Sequence, residues 1–365
     1  MRNRSKARKK GDREMRLKKM WTILAVCCFS AALCVGCGDD DSGGTNENEN
    51  TRPCNNDGVC DEGENVLWCA DCEISCDLNE GQNYDYIVSE LVLPSGSGDA
   101  IGVDLDGDMT IDNKLGQIMG LIPESETSPN EAIAASIQNG DIIMLGRLVV
   151  SDWELDESMA VQIFQGDTTD ATEDNLTGSG EVPIDPSADR DIYLCGELVQ
   201  GYVTAGPAQV VISLSFEDMV LDITLERAQV IAEEQPMTET DWTDVMIGGG
   251  ISKEALDNEL IPALVDWLNA ETVADPEGGV GEFVLGSLDA NCSSSVEGCE
   301  SVVNEEGECA AWDGVSETPL SVTELRCSSV LATALKPDVD SDGDGENDLL
   351  SLGVMVSAIS VTITN

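Results

Sequence analysis

The chain has no histidine in 365 residues. That absence excludes Ser-His and Cys-His catalysis, His-ligated zinc and imidazole pH switches. It has no Gly-x-Ser-x-Gly elbow and no Ser-x-x-Lys pair. Aromatic residues are sparse at 4%, but 41% hydrophobic residues suffice for a packed core. Basic residues are scarce too. Only 18 Lys and Arg face 71 Asp and Glu. Ten of the 18 lie in residues 1–19, and two of the 71 precede Cys37. From Cys37 onward, 8 basic residues remain against 69 acidic ones, a balance of −61. Such a chain repels nucleic acid and anionic headgroups and attracts divalent cations. Any catalysis would rest on carboxylates, Tyr or a bound metal.

The basic residues that are present sit where export needs them. Residues 1–19 are strongly basic, and residues 20–36 (Met-Trp-Thr-Ile-Leu-Ala-Val-Cys-Cys-Phe-Ser-Ala-Ala-Leu-Cys-Val-Gly) are apolar and uncharged. A basic segment, a short apolar run and a small residue at the boundary predict a secretory signal over 1–36. Val35-Gly36-Cys37 resembles the lipobox of bacterial lipoproteins, with Cys34 where that family usually has Leu. The resemblance implies lipid on Cys37, and Gly38 in place of Asp fits outer-membrane sorting. The expected localisation is exported, lipid-anchored, at the outer membrane or cell surface. Several acyl chains hold firmly, at about 0.8 kcal/mol per buried CH₂. Residues 37–53 form an acidic tether of Gly, Asp, Asn, Glu, Ser and Thr with almost nothing apolar.

Residues 54–76 hold Cys54, Cys60, Cys69, Cys72 and Cys76 among acidic and amide residues. This segment is too polar to fold by burial, so disulfides are expected to hold it. Of 14 cysteines, Cys27, Cys28 and Cys34 leave with the signal and Cys37 is acylated, so ten remain. Five lie in the module, an odd number, so one bridge is expected to leave it for Cys195, Cys292, Cys299, Cys309 or Cys327. The run Cys54-Asn-Asn-Asp-Gly-Val-Cys60-Asp-Glu-Gly-Glu-Asn…Cys69-Ala-Asp-Cys72 resembles a small Cys-rich repeat. That repeat is found in secreted and lipid-anchored proteins of myxobacteria and related bacteria, and it implies a surface protein and no activity.

Residues 77–365 read mostly as strands. Ala208–Phe216 alternates, with Val210, Ile212, Leu214 and Phe216 on one face, and Met219, Leu221, Ile223 and Leu225 repeat the pattern across a Glu217-Asp218 turn. Other expected strands are Tyr86–Leu93, Ile142–Val150, Met159–Gln165, Ile192–Val199, Gly281–Leu285 and Leu352–Thr364. Three helices are expected. One is Glu131–Gln138, capped by Asn130. Another follows Ser252, with Pro262 kinking or dividing it. The third is Val322–Leu335, behind a Ser321/Glu324 capping box. Stretches 166–190 and 271–280 read as surface loops, and Gly248-Gly-Gly250 as a flexible connection. The expected fold is mainly β with a few helices (α+β): an antiparallel, sandwich-like domain behind a small disulfide module.

Two stretches carry the chemistry. Asp104-Leu-Asp-Gly-Asp-Met-Thr-Ile-Asp112 and Asp338-Val-Asp-Ser-Asp-Gly-Asp-Gly-Glu-Asn-Asp348 place carboxylates at relative positions 1, 3, 5 and 9: Asp104, Asp106, Asp108 and Asp112, and Asp340, Asp342, Asp344 and Asp348. Like charges so close together call for a hard cation with oxygen ligands, and Ca²⁺ suits such loops. The candidate ligands are Asp104, Asp106, Asp108, Thr110 and Asp112, and Asp340, Asp342, Asp344, Glu346 and Asp348. Neither loop is an EF-hand, because Leu115 and Ser351 stand where a bidentate Glu belongs. They resemble the loops of thrombospondin calcium repeats and dockerins. Gly345 fills the sharp-turn position of the second loop and Met109 that of the first, so stronger binding is expected in the second. The expected role is non-enzymatic: a calcium-stabilised surface lipoprotein with a structural or a protein- or glycan-binding role. The alternative is a carboxylate-based hydrolase of glycans, with Trp153, Trp242, Trp267 and Trp312 as candidate sugar platforms.

Overall fold

Alternating apolar residues need a second apolar surface to face, and here the sheet supplies its own by closing. The computed structural model describes residues 75–76, 78, 81–96, 99–121, 123, 128–170, 176–178, 180–216, 219–233, 235–288, 299, 319–332, 334–341 and 346–364. All lie in one compact unit, Thr51–Asn365. The expected signal, tether and nearly all of the Cys-rich module fall outside the described residues. So do Cys37, Cys54, Cys60, Cys69, Cys72, Cys292, Cys309, Trp312, Asp342 and Asp344.

The strands are β1 (Gln82–Val92), β2 (Met144–Val150), β3 (Leu155–Gln165), β4 (Glu181–Pro183), β5 (Leu194–Val199), β6 (Tyr202–Phe216), β7 (Met219–Ala232), β8 (Asp241–Ser252), β9 (Leu349–Ser360) and β10 (Thr362–Thr364). Eight of them form a closed barrel in the order β1-β2-β3-β5-β6-β7-β8-β9, with β9 antiparallel to β1. The other ring neighbours are antiparallel too. β10 pairs in parallel with β4 beside the ring. The mainly β, antiparallel architecture with few helices is thus as the alternation implies. Its two facing layers are opposite walls of one closed sheet.

One buried cluster draws on every ring strand: Tyr86, Leu148, Val161, Leu198, Ile212, Val230, Val245 and Val354 each come from a different one. That cluster is the barrel interior, which eight strands leave just wide enough for side chains to fill. On β5, Leu194, Gly196 and Leu198 are buried while Glu197 and Val199 are exposed. No described helix is long and apolar enough to cross a membrane. Trp242 fills the interior against Tyr86, ring centroids 4.7 Å apart. A Cβ at Gly146 would overlap the Trp242 indole, so β2 needs glycine there.

The described helices are α1 (Lys114–Leu121), α2 (Pro129–Asn139), α3 (Lys253–Ala255), α4 (Ile261–Ala274), α5 (Gly279–Phe283) and α6 (Val322–Cys327). α2 touches both β1 and β6, which lie opposite each other in the ring, and adds Ile133 and Ile137 to the core. It therefore stoppers one end of the barrel.

Several local expectations need correction. Gly281–Leu285 is not a strand but the end of α5 and a π turn, Val284–Leu288. Val280, Val284 and Leu288 are buried four residues apart, a helical period that a short window hides. Ser128, not Asn130, caps α2, with Pro129 in the first turn and a capping box to Glu131. Asn130 instead bonds both backbone groups of Leu93. The Ser321 box forms, but α6 stops at Cys327 because Ser328 turns extended and accepts from the Val330 amide. Pro262 does divide its helix, behind a π turn at Leu256–Leu260. Residues 271–274 belong to α4, and β4 lies within 166–190. Gly248-Gly-Gly250 is not a connection but the middle of β8.

Candidate metal centre

The glycines of β8 explain where the aspartate loops sit. A Cβ on Gly248 would overlap Val103, one on Gly250 would overlap Leu349, and one on β9 Gly353 would meet Gly102. The outer wall of β8 and β9 is therefore shaved to backbone, and the bases of both loops press onto it. Val103, Leu105, Val339 and Leu349 form one buried cluster there, backed by Ile231 and Met246. Two loops more than 200 residues apart in sequence are neighbours in space. The two loops share a pattern and a following apolar context in sequence, but no local signal in either encodes that adjacency.

Their closure is the same. In the first loop Val103 bridges Asp112, and the Asp112 amide donates to the Val103 carbonyl at 3.0 Å. In the second the Asp348 amide donates to the Val339 carbonyl at 2.9 Å, beside a Val339–Leu349 bridge. The ninth carboxylate then reaches back to the second residue of its own loop. Leu105 N donates to Asp112 Oδ2 at 2.7 Å, and Ser341 N donates to Asp348 Oδ1 at 2.8 Å. Each loop is thus tied valine to ninth aspartate, and second residue to ninth carboxylate.

Within the first loop the carboxylates fold inward over their own backbone. Asp104 accepts from Gly107 N at 2.7 Å and Met109 N at 2.9 Å. Asp106 accepts from Asp108 N, and Asp108 from Thr110 N. One oxygen from each of Asp104, Asp106 and Asp108 lies within 4.8 Å of the other two. Asp112 stands behind them, half-buried. Thr110 is exposed, and its amide donates to Asp108 Oδ1 at 2.7 Å. Met109 has φ 67° and is 93% exposed, so a β-carbon occupies the left-handed conformation that the sharp-turn position demands.

In the second loop Asp340 is buried, 6% exposed, while Glu346 and Asp348 are exposed. Asp348 also accepts from the Ser341 hydroxyl at 2.6 Å. Asp338, one step outside the 1-3-5-9 pattern, joins the group. It accepts from Ser351 N and Oγ at 2.8 and 2.6 Å, and Ser351 Oγ accepts from the Lys114 amide at 2.8 Å. That relay links the base of one loop to the helix that follows the other.

Burial pushes the Asp112 carboxyl up to about 7, with the Leu105 amide opposing and Asp106, Asp338 and Asp104 adding repulsion. Burial raises Asp338 as well, against the Ser351 hydrogen bonds and the charge of Lys114. Two half-buried carboxyls thus resist ionisation at a junction of two acidic loops.

Two disulfides are present among the described residues. Cys76–Cys195 joins the last module cysteine to β5, with Cα atoms 5.1 Å apart, and is a bridge leaving the module. Cys299–Cys327 ties the end of α6, with Cα atoms 5.6 Å apart. Of the candidate sugar platforms, Trp242 and Trp267 are buried in the core, and Trp153 packs edge-on to Tyr84 at 5.1 Å. Compared with family models, curated proteins and solved structures, the chain matches none.

Proposed function

We propose that this chain is an exported surface lipoprotein, acylated at Cys37, with a calcium-stabilised barrel and a structural or binding role toward a protein or glycan. The observation that carries the reading is the shared closure of two acidic loops on one apolar seat. Crowded carboxylates destabilise a loop unless a cation neutralises them, and here two such loops adjoin. Asp104, Asp106, Asp108 and Asp112, with Thr110, would hold one ion. Asp340, Asp342, Asp344, Glu346 and Asp348 would hold the other. Calcium suits all-oxygen donors of variable geometry, whereas Mg²⁺ demands tighter octahedral order and keeps its waters. Export supports this reading, because extracellular calcium modules work with dissociation constants of about 10⁻⁴–10⁻³ M. Glycan hydrolysis has less behind it, since two of its expected platforms are core residues.

Equilibrium dialysis of protein purified from membranes tests both halves. The reading expects two Ca²⁺ per chain in excess Mg²⁺, one in Asp106→Ala, and an intact mass that begins at acylated Cys37. No calcium above the Mg²⁺ background, or a mass that retains residues 20–36, counts against it.

A further inference from the structure

A cleft of about 370 Å³ opens between the α3 region and the segment from α6 to Pro337. We infer that it binds a small aliphatic monocarboxylate. Its floor is apolar: Leu256, Ile261 and Leu335 are each less than a tenth exposed and line it. Its polar wall is Lys253, Asp257 and Arg326. After Cys37 the chain has only 8 basic residues against 69 acidic ones, yet two of the 8 line this cleft. A third, exposed Lys336, stands between lining residues Leu335 and Pro337.

The polar wall is built rather than loose. Arg326 Nη2 donates to the Asp257 carbonyl at 2.7 Å and lies 3.1 Å from Asp257 Oδ1. That pins the guanidinium plane. Its Nε is buried and has no hydrogen-bond acceptor. The side chain as a whole is 40% exposed and lines the cleft, so the guanidinium charge faces it. Lys253 Nζ reaches Asp257 Oδ2 at 3.2 Å from a side chain that is 78% exposed, so it is able to swing to a ligand. Two cations and one carboxylate leave the lining one positive charge in excess, which matches a monoanion better than a phosphate dianion. A guanidinium and an ammonium together favour a carboxylate, and the apolar floor favours an aliphatic tail. The volume falls at the low end of small-molecule sites, room for a short chain rather than a long lipid.

Ligand-observed NMR on the full-length protein tests this, with hexanoate as probe and hexanamide, hexylamine and inorganic phosphate as controls. Saturable hexanoate binding at millimolar concentration is expected, at least tenfold tighter than hexanamide or phosphate. Lys253→Glu, on an exposed side chain, should weaken hexanoate at least fivefold and leave the melting temperature unchanged. Arg326→Gln should abolish binding; if that variant misfolds, Lys253→Glu decides alone. Hexanamide binding as tightly as hexanoate, hexanoate binding unchanged in Lys253→Glu, or no saturable hexanoate signal overturns the inference.

Discussion

The two aspartate loops have one pattern and one closure but differ in burial. In the first, Asp104, Asp106 and Asp112 are all half-buried, Asp108 is exposed, and desolvation bears on the ninth carboxylate, Asp112. In the second, the first carboxylate, Asp340, is buried and the ninth, Asp348, is exposed. The first loop also forces Met109 into a left-handed turn, where the second has Gly345 in sequence. The shared closure comes from the valine–ninth-aspartate tie. The differences come from how each loop leans on the β8–β9 wall. A repeated pattern thus specifies a loop's base, while packing decides which of its charges is desolvated.

The largest expected effect breaks what the loops share. Leu349 is buried against Val339 and Gly250, so Leu349→Ala should cost about 2–5 kcal/mol in urea unfolding. It should also weaken calcium at both loops, although Leu349 offers no ligand. An effect confined to the second loop would mean that the loops are seated independently.

The next effect sharpens the burial difference through pH. A carboxyl whose native pKa is raised stabilises the fold while protonated. That contribution is complete below the unfolded value, about 3.9, and is lost as pH climbs to the native value. For Asp112 the window therefore runs up to about 7, and Asp338 acts in the same direction. Unfolding in chelator should show stability falling across this window, and calcium's stabilisation should grow across it. Asp112→Asn should flatten the fall; a fall that persists unchanged in Asp112→Asn would contradict this assignment.

The smallest effect narrows the conformational difference. Met109→Gly relieves a left-handed β-carbon on an exposed residue, which should stabilise the calcium-bound fold by up to about 1 kcal/mol. A thermal melt should show a small rise in the midpoint and a tighter first loop. A fall would show that the left-handed turn carries no strain.

Much of the fold was legible because most ring strands have one dry face. Val210 and Ile212, or Leu194 and Leu198, alternate clearly enough to be read as strands. β8 escaped because its three glycines resemble a linker. Gly248 and Gly250 admit Val103 and Leu349, which are distant in sequence, while Gly249 lies against Leu225 and Ala228. α5 escaped because five residues hold too little of a helical period. At the candidate site, the ligand pattern and the awkward turn at Met109 could be read locally. Asp338 lies in the same acidic stretch, but its bonds to Ser351, its closeness to Asp112 and the contact between the loops could not be read, since they depend on chain closure around the barrel.

The most direct test of the calcium account is a thermal melt with chelator, Ca²⁺ or Mg²⁺ on wild type, Asp342→Ala and Asp106→Ala. Linkage adds about 2.7 kcal/mol at a hundredfold excess over Kd. The account predicts a clear upward shift with Ca²⁺, little with Mg²⁺, and a larger loss of the shift in Asp342→Ala than in Asp106→Ala. A wild-type midpoint that Ca²⁺ does not move would contradict it.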